Sequence, residues 1–221
     1  MRITLPSGTP AEIHHVEGAT RGLVVFPDIF GLRPLFDDHV RRFATEWGMT
    51  TVAIEPFPVS AVGRELGADL DGRFAAVPTL SDVDKFRDLN EAADATGCAT
   101  VGMIGFCMGG MYCFKAAAMK RFSRIASFYG MIRLPDAWRG DGQGEPLSLL
   151  GEGDASSVLA IIGHRDTWTP DPDVAALRAT GAQVVEYAEA EHGFAHDSSR
   201  PAHRVNDAAD AFRRAREWLS A

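Results

Sequence analysis

Hydrophobic and polar positions along the chain alternate between two periods. Six short runs are apolar at nearly every position: Gly22–Phe26, Thr50–Glu55, Thr100–Gly105, Ile125–Phe128, Val158–Gly163 and Val184–Tyr187. Runs of that length, rich in β-branched residues and apolar on both faces, predict the central strands of a parallel sheet covered on two sides. Ala11–Val16 is a weaker run, predicted as an antiparallel strand at the sheet edge. Between the runs the period lengthens. Pro34–Trp47 ends at Gly48, a C′ residue suited to left-handed backbone. Ser81 is placed to cap Asp82–Ala95, with Asp84 in the first turn and Gly97 beyond the end. Met108–Met119 follows the third strong strand at once. Pro172–Ala179 has Pro172 at N1, with Asp171 before it and Gly181 after it. In Ala202–Leu219, residues Val205, Ala208, Ala209, Phe212, Ala215 and Leu219 share one helical face. Strands alternating with helices in this way predict an α/β fold with a mostly parallel, doubly wound sheet and helices on both faces.

Two segments, Pro56–Thr79 and Arg133–Ser157, follow strand ends and are rich in Gly, Pro and Asp. Ligands bind at the carboxyl ends of strands in open α/β sheets, so these read as pocket-shaping loops. For the second, with its Gly140–Gly144 run, a plain solvated insertion is the competing reading. No repeat and no linker stands out, and 221 residues are expected to form one domain.

Composition narrows the function. With 22 basic and 30 acidic residues the net charge is −8, which argues against a nucleic-acid partner that needs a basic face. Three cysteines make no disulfide framework, and none lies at CxxC spacing, so no metal site is expected. No apolar leader or membrane-length run occurs; the expectation is a soluble cytoplasmic protein.

The strongest chemical signal is Gly105-Phe106-Cys107-Met108-Gly109-Gly110, joining an apolar strand to a helix with no residues to spare. This is a nucleophile elbow, G-x-Nuc-x-G, with cysteine as the nucleophile. Its glycines are needed because a Cβ beside so sharp a turn would collide with the neighbouring elements. The positive helix end beneath the sulfur favours thiolate. A buried cysteine in a Gly-rich turn is the bland alternative. Context decides against it, because an acid and a histidine must follow after later strands in that order. Asp166 stands at the end of Val158–Gly163, and His192 stands in the loop after Val184–Tyr187. Asp166 as a mere helix cap is the weaker reading, since Thr169 and Asp171 are better placed for that. Of the other histidines only His196 shares the loop, as a weaker alternative base. Cys98 and Cys113 read as structural. One oxyanion donor is then the Met108 N–H. The other is the Ile29 N–H in Pro27-Asp28-Ile29-Phe30-Gly31, where Asp28 aims a carboxylate at the same pocket or simply shapes a turn.

The D-I-F-G segment, the G-F-C-M-G-G elbow, the G-x-x-D-x-x-x-P acid loop and the H-G-F loop together resemble the dienelactone hydrolase family, over about Leu23 to Leu219. The resemblance implies a single-domain, monomeric α/β hydrolase with a Cys107–His192–Asp166 triad and no cofactor. Its partner would be a small lactone or ester, as in the family's founding carboxymethylenebutenolidase activity, which opens dienelactone to maleylacetate. The family has a glutamate at Asp28 that helps form thiolate, and Asp is about 1.5 Å shorter in reach. The family also holds substrate carboxylate with arginines, one of them at the position of His196. Arg200 nearby and Arg73 are the corresponding candidates here. Two alternatives remain open: a general carboxylesterase or thioesterase, and a non-catalytic binding protein on the same scaffold.

Overall fold

A computed structural model describes residues 1–221. The chain divides into two compact units, Met1–Gly102 with Leu134–Gly144, and Met103–Arg133 with Glu145–Ala221. The first unit holds β1 (Arg2–Thr4), β2 (Pro10–His14), β3 (Arg21–Phe26), α1 (Pro34–Trp47), β4 (Thr50–Ile54), α2 (Val59–Val62), α3 (Leu70–Ala76) and α4 (Asp82–Ala95). Its strands run in the order β1-β2-β4-β3. β2 is antiparallel to both β1 and β4, whereas β3 and β4 are parallel, with Val24 opposite Val52. The expected antiparallel strand is therefore present, but β1 and not β2 forms the edge. Three residues of alternating exposure leave β1 too little pattern to be seen in sequence.

Helix α1 buries Phe36, His39, Val40, Phe43 and Ala44, the i, i+3, i+4, i+7, i+8 stripe of an amphipathic helix. Each large apolar side chain so covered contributes about 1.5–3 kcal/mol. Gly48 ends the helix at φ 70°, its N–H reaching Ala44 O. In α4 the Ser81 hydroxyl makes no capping bond. Asp82 anchors that end instead, its N–H donating to Gly142 O at 2.8 Å and its Oδ2 accepting from Gly144 N–H at 2.7 Å.

The second unit follows from β5 (Thr100–Phe106), which starts just before the boundary, through α5 (Met108–Ala116), β6 (Ile125–Phe128), α6 (Pro146–Glu152), β7 (Val158–Gly163), α7 (Asp171–Ala179) and β8 (Gln183–Tyr187) to α8 (Val205–Ser220). Strands β5, β6, β7 and β8 pair in that order, all parallel. Aromatic rings fill its centre: Phe106 packs on Phe128 at 5.0 Å, and Phe128 packs on Phe212 at 5.1 Å. Helix α8 begins three residues later than expected and leaves Val205 71% exposed; its buried face is Ala208, Ala211, Ala215 and Leu219. Helix α7 begins one residue earlier than expected, with Pro170 rather than Asp171 at the cap. The two Gly/Pro-rich segments contain short helices, α2 and α3 in the first and α6 in the second. No helix is long and apolar enough to cross a membrane.

Candidate active site

Cys107 sits between the last residue of β5 and the first of α5, at φ 56° and ψ −114°. An L-residue in that conformation is strained by about 1–3 kcal/mol. The surroundings impose it. Cys107 N–H donates to Phe128 O at 3.0 Å, and its carbonyl accepts the Met111 N–H at 2.9 Å. A Cβ on Gly105 would lie 2.2 Å from Gly109 O, and one on Gly110 would lie 2.6 Å from Phe128 O. Those glycines let strand, turn and helix approach to backbone contact. The sulfur-bearing residue is half-buried, not sealed in the core. Met108, first in the helix, carries an N–H with no acceptor inside it.

The acid and histidine loops are joined through backbone. His164 N–H donates to Tyr187 O at 3.0 Å and Arg165 N–H to Ala190 O at 2.9 Å. A Cβ on Gly163 would meet Ala190 O at 2.4 Å, so glycine is required for this approach. Asp166 is buried. Its Oδ2 lies 2.8 Å from His192 Nδ1, and its Oδ1 accepts the Trp168 N–H at 2.9 Å. Cys107 acts electrostatically on the same imidazole. Burial acts to depress the imidazole pKa. The electrostatic influence of Cys107 and the hydrogen bond to Asp166 outweigh it, and His192 is pushed up to about 10. The three residues read from the elbow and the two later loops are thus brought together, with the imidazole between sulfur and carboxylate.

Two aromatic residues flank His192. The Tyr129 ring meets it edge-on at 5.3 Å, and the Trp168 indole lies 6.3 Å away. Tyr129 has φ 39°, and its hydroxyl accepts the His196 N–H at 3.2 Å while contacting His196 Nδ1. One phenol oxygen thus holds both the backbone and the ring of His196. His196 is 2% exposed and stacks on Phe106 at 5.2 Å. It lies in the core of this unit, not on a surface open to a ligand. Arg200 is half-buried, its guanidinium lying against Gly193, where φ is 77°. Burial pushes the Cys113 thiol well up, consistent with an inert side chain.

The remaining candidates belong to the first unit. Asp28 is 2% exposed and takes Arg33 through both oxygens, at 2.6 and 2.8 Å, and the Phe30 N–H at 3.0 Å. Ile29 is buried, and its carbonyl accepts from Arg73 at 3.1 Å. Arg73 also donates to Glu55 at 3.2 Å and Gly67 O at 2.7 Å. A cavity of about 380 Å³ in this unit is bordered by Phe30, Arg33, Glu55, Phe57, Leu66 and Arg73; no triad residue lines it. Arg33 and Glu55 carry no motif, which is why the sequence does not reveal them.

A family model described as the dienelactone hydrolase family matches residues 61–221. A Synechocystis sp. protein named "Putative carboxymethylenebutenolidase" is 26% identical over 210 residues, covering 88% of this chain and 83% of the relative. Among solved structures, a Klebsiella pneumoniae protein named "Putative Dienelactone Hydrolase" superposes with TM-score 0.82 at 24% identity, covering 100% of this chain and 97% of its own. A Pyrococcus furiosus esterase superposes with TM-score 0.64 at 15% identity, covering 100% and 90%. The fold is that of the α/β hydrolases, mostly parallel in its strands, with flanking helices. With its match running through the elbow, the acid loop and the histidine loop, the chain belongs to the dienelactone hydrolase family and is a hydrolase of that type.

Proposed function

We propose that the protein opens small lactones or esters through a thioester acyl-enzyme on Cys107. The observation that carries this reading is the imidazole of His192, hydrogen-bonded to Asp166 and raised in pKa by Cys107. The thiol proton passes to His192, whose elevated pKa of about 10 suits it to hold that proton beside a thiolate. The sulfur attacks the carbonyl carbon, and the resulting oxyanion is held by the Met108 N–H at the positive end of α5. As the carbon–oxygen bond breaks, His192 returns its proton to the leaving oxygen, and the acyl group remains on sulfur. His192 then takes a proton from water, hydroxide adds to the thioester, and the acid departs as thiolate re-forms. Asp166 keeps the tautomer that leaves Nε2 free for these transfers. The Asp28 carboxylate is already paired with Arg33 through both oxygens, so His192 and not Asp28 is the thiol's base.

A cysteine nucleophile favours enol and aryl esters, because thiolate is re-expelled whenever the alcohol leaves poorly. The test is hydrolysis of nitrophenyl esters and enol lactones by Cys107→Ala. We expect a loss of at least about 10³-fold in kcat/KM, on the scale of triad removal in serine hydrolases. Activity within a few-fold of the parent would exclude the scheme.

A further inference from the structure

Trp168 is the bulkiest apolar side chain the fold leaves open, at 42% exposure, and it stands beside His192. Its placement is not incidental to the triad. One carboxylate sets both groups: Asp166 Oδ2 bonds His192 Nδ1, and Asp166 Oδ1 accepts the Trp168 backbone N–H. The indole stands 6.3 Å from the imidazole at 54°, while Tyr129 meets that imidazole edge-on at 5.3 Å. With Nδ1 committed to Asp166, only Nε2 can deliver a proton to the leaving oxygen. That transfer requires the oxygen within about 3 Å of the ring. Whatever is attached to the leaving oxygen must therefore extend past the imidazole, where an accessible indole stands.

We propose that Trp168 is a specificity-determining residue for the leaving-group side of the substrate, selecting flat, apolar alcohols such as aryl or enol moieties. The proposal rests on the thioester reading. In that scheme the acyl portion stays on Cys107, and the alcohol is gone before water attacks. The indole therefore acts on acylation only, and the quantity that reports it is kcat/KM compared between alcohols of one acid.

The experiment compares 2-naphthyl acetate with trifluoroethyl acetate, which carries a small but activated alcohol, in the parent, Trp168→Ala and Trp168→Phe. The Asp166 contact uses the backbone N–H, so it survives both substitutions. The naphthyl-to-trifluoroethyl ratio of kcat/KM is expected to fall about 5- to 10-fold in Trp168→Ala, the scale of an aromatic contact. Trp168→Phe should recover most of it. An unchanged ratio overturns the proposal, whether the two rates hold or fall together. Cys107→Ala, assayed in parallel, separates the two readings. If it still hydrolyses both acetates, the thioester scheme itself fails; if activity depends on Cys107 and the ratio does not move, only the role of Trp168 fails.

Discussion

Cys107, the proposed nucleophile, also carries backbone strain. Its φ of 56° is sterically disfavoured for any residue with a Cβ, and relaxing it requires glycine. Two variants that both lack the thiol isolate this effect. Cys107→Gly is expected to be more stable than Cys107→Ala by about 1 kcal/mol, and both should be inactive. Denaturant titration of the pair measures it, and an alanine variant at least as stable as the glycine one would show that the turn stores no strain. At this scale the sequence was legible wherever a side chain follows directly on an apolar strand. Cys107 does so, whereas Asp166 stands three residues past β7 and His192 five past β8, each in the loop that follows its strand. Tyr129 also follows a strand, yet nothing in its neighbours announces that its hydroxyl will hold His196. His196 shows the converse. Its place in the histidine loop suggested a base, and the family resemblance a ligand contact, whereas a ring stacked on Phe106 is decided by packing that no local pattern encodes.

Among elements, the junction of α5 with the residues that follow β6 is a backbone-to-backbone contact. A Cβ on Gly130 would lie 2.2 Å from the carbonyl carbon of Gly110 and 2.4 Å from its oxygen. Backbone cannot yield as a side-chain tip can, so Gly130→Ala should cost about 3 kcal/mol, the upper range for an overpacked core. A chemical-denaturation midpoint unchanged from the parent would contradict this. Strands β6 and β7 and helices α1 and α4 were predicted to the residue, because each carries several turns or a full apolar run. Helices α3 and α6, at seven residues each, span about two turns, and β1 spans three residues. Periods that short cannot be separated from loop composition. Helix α8 starts at Val205 rather than the expected Ala202, and Val205, counted on its apolar face, stands in solvent.

For the whole molecule, the charge held at His192 ties stability to pH. Its pKa rises on folding from an ordinary 6.5 to about 10. The folded state therefore binds this proton more tightly than the unfolded chain does. The resulting stabilisation is complete below about pH 6.5 and is lost as pH rises through 10. The stability difference between the parent and His192→Gln should accordingly be greatest near pH 6 and shrink steadily towards pH 10.5. A difference independent of pH over that interval would refute the assignment. The division into two compact units was not legible, since no change in composition marks Gly102 or Leu134. The net charge of −8 says nothing of Asp28 and Arg33, whose charges cancel locally.

Beside the side-chain pairs Arg165–Glu189 and Asp166–His192, the acid loop is stitched to the histidine loop through main-chain atoms: His164 N–H to Tyr187 O, Arg165 N–H to Ala190 O, with Gly163 permitting the approach. Such seams do not depend on which reactive groups they present. A lineage built on this chassis is thus free to exchange one nucleophile or acid for another while the mounting points hold their positions, so that new chemistries can be tried without redesigning the frame.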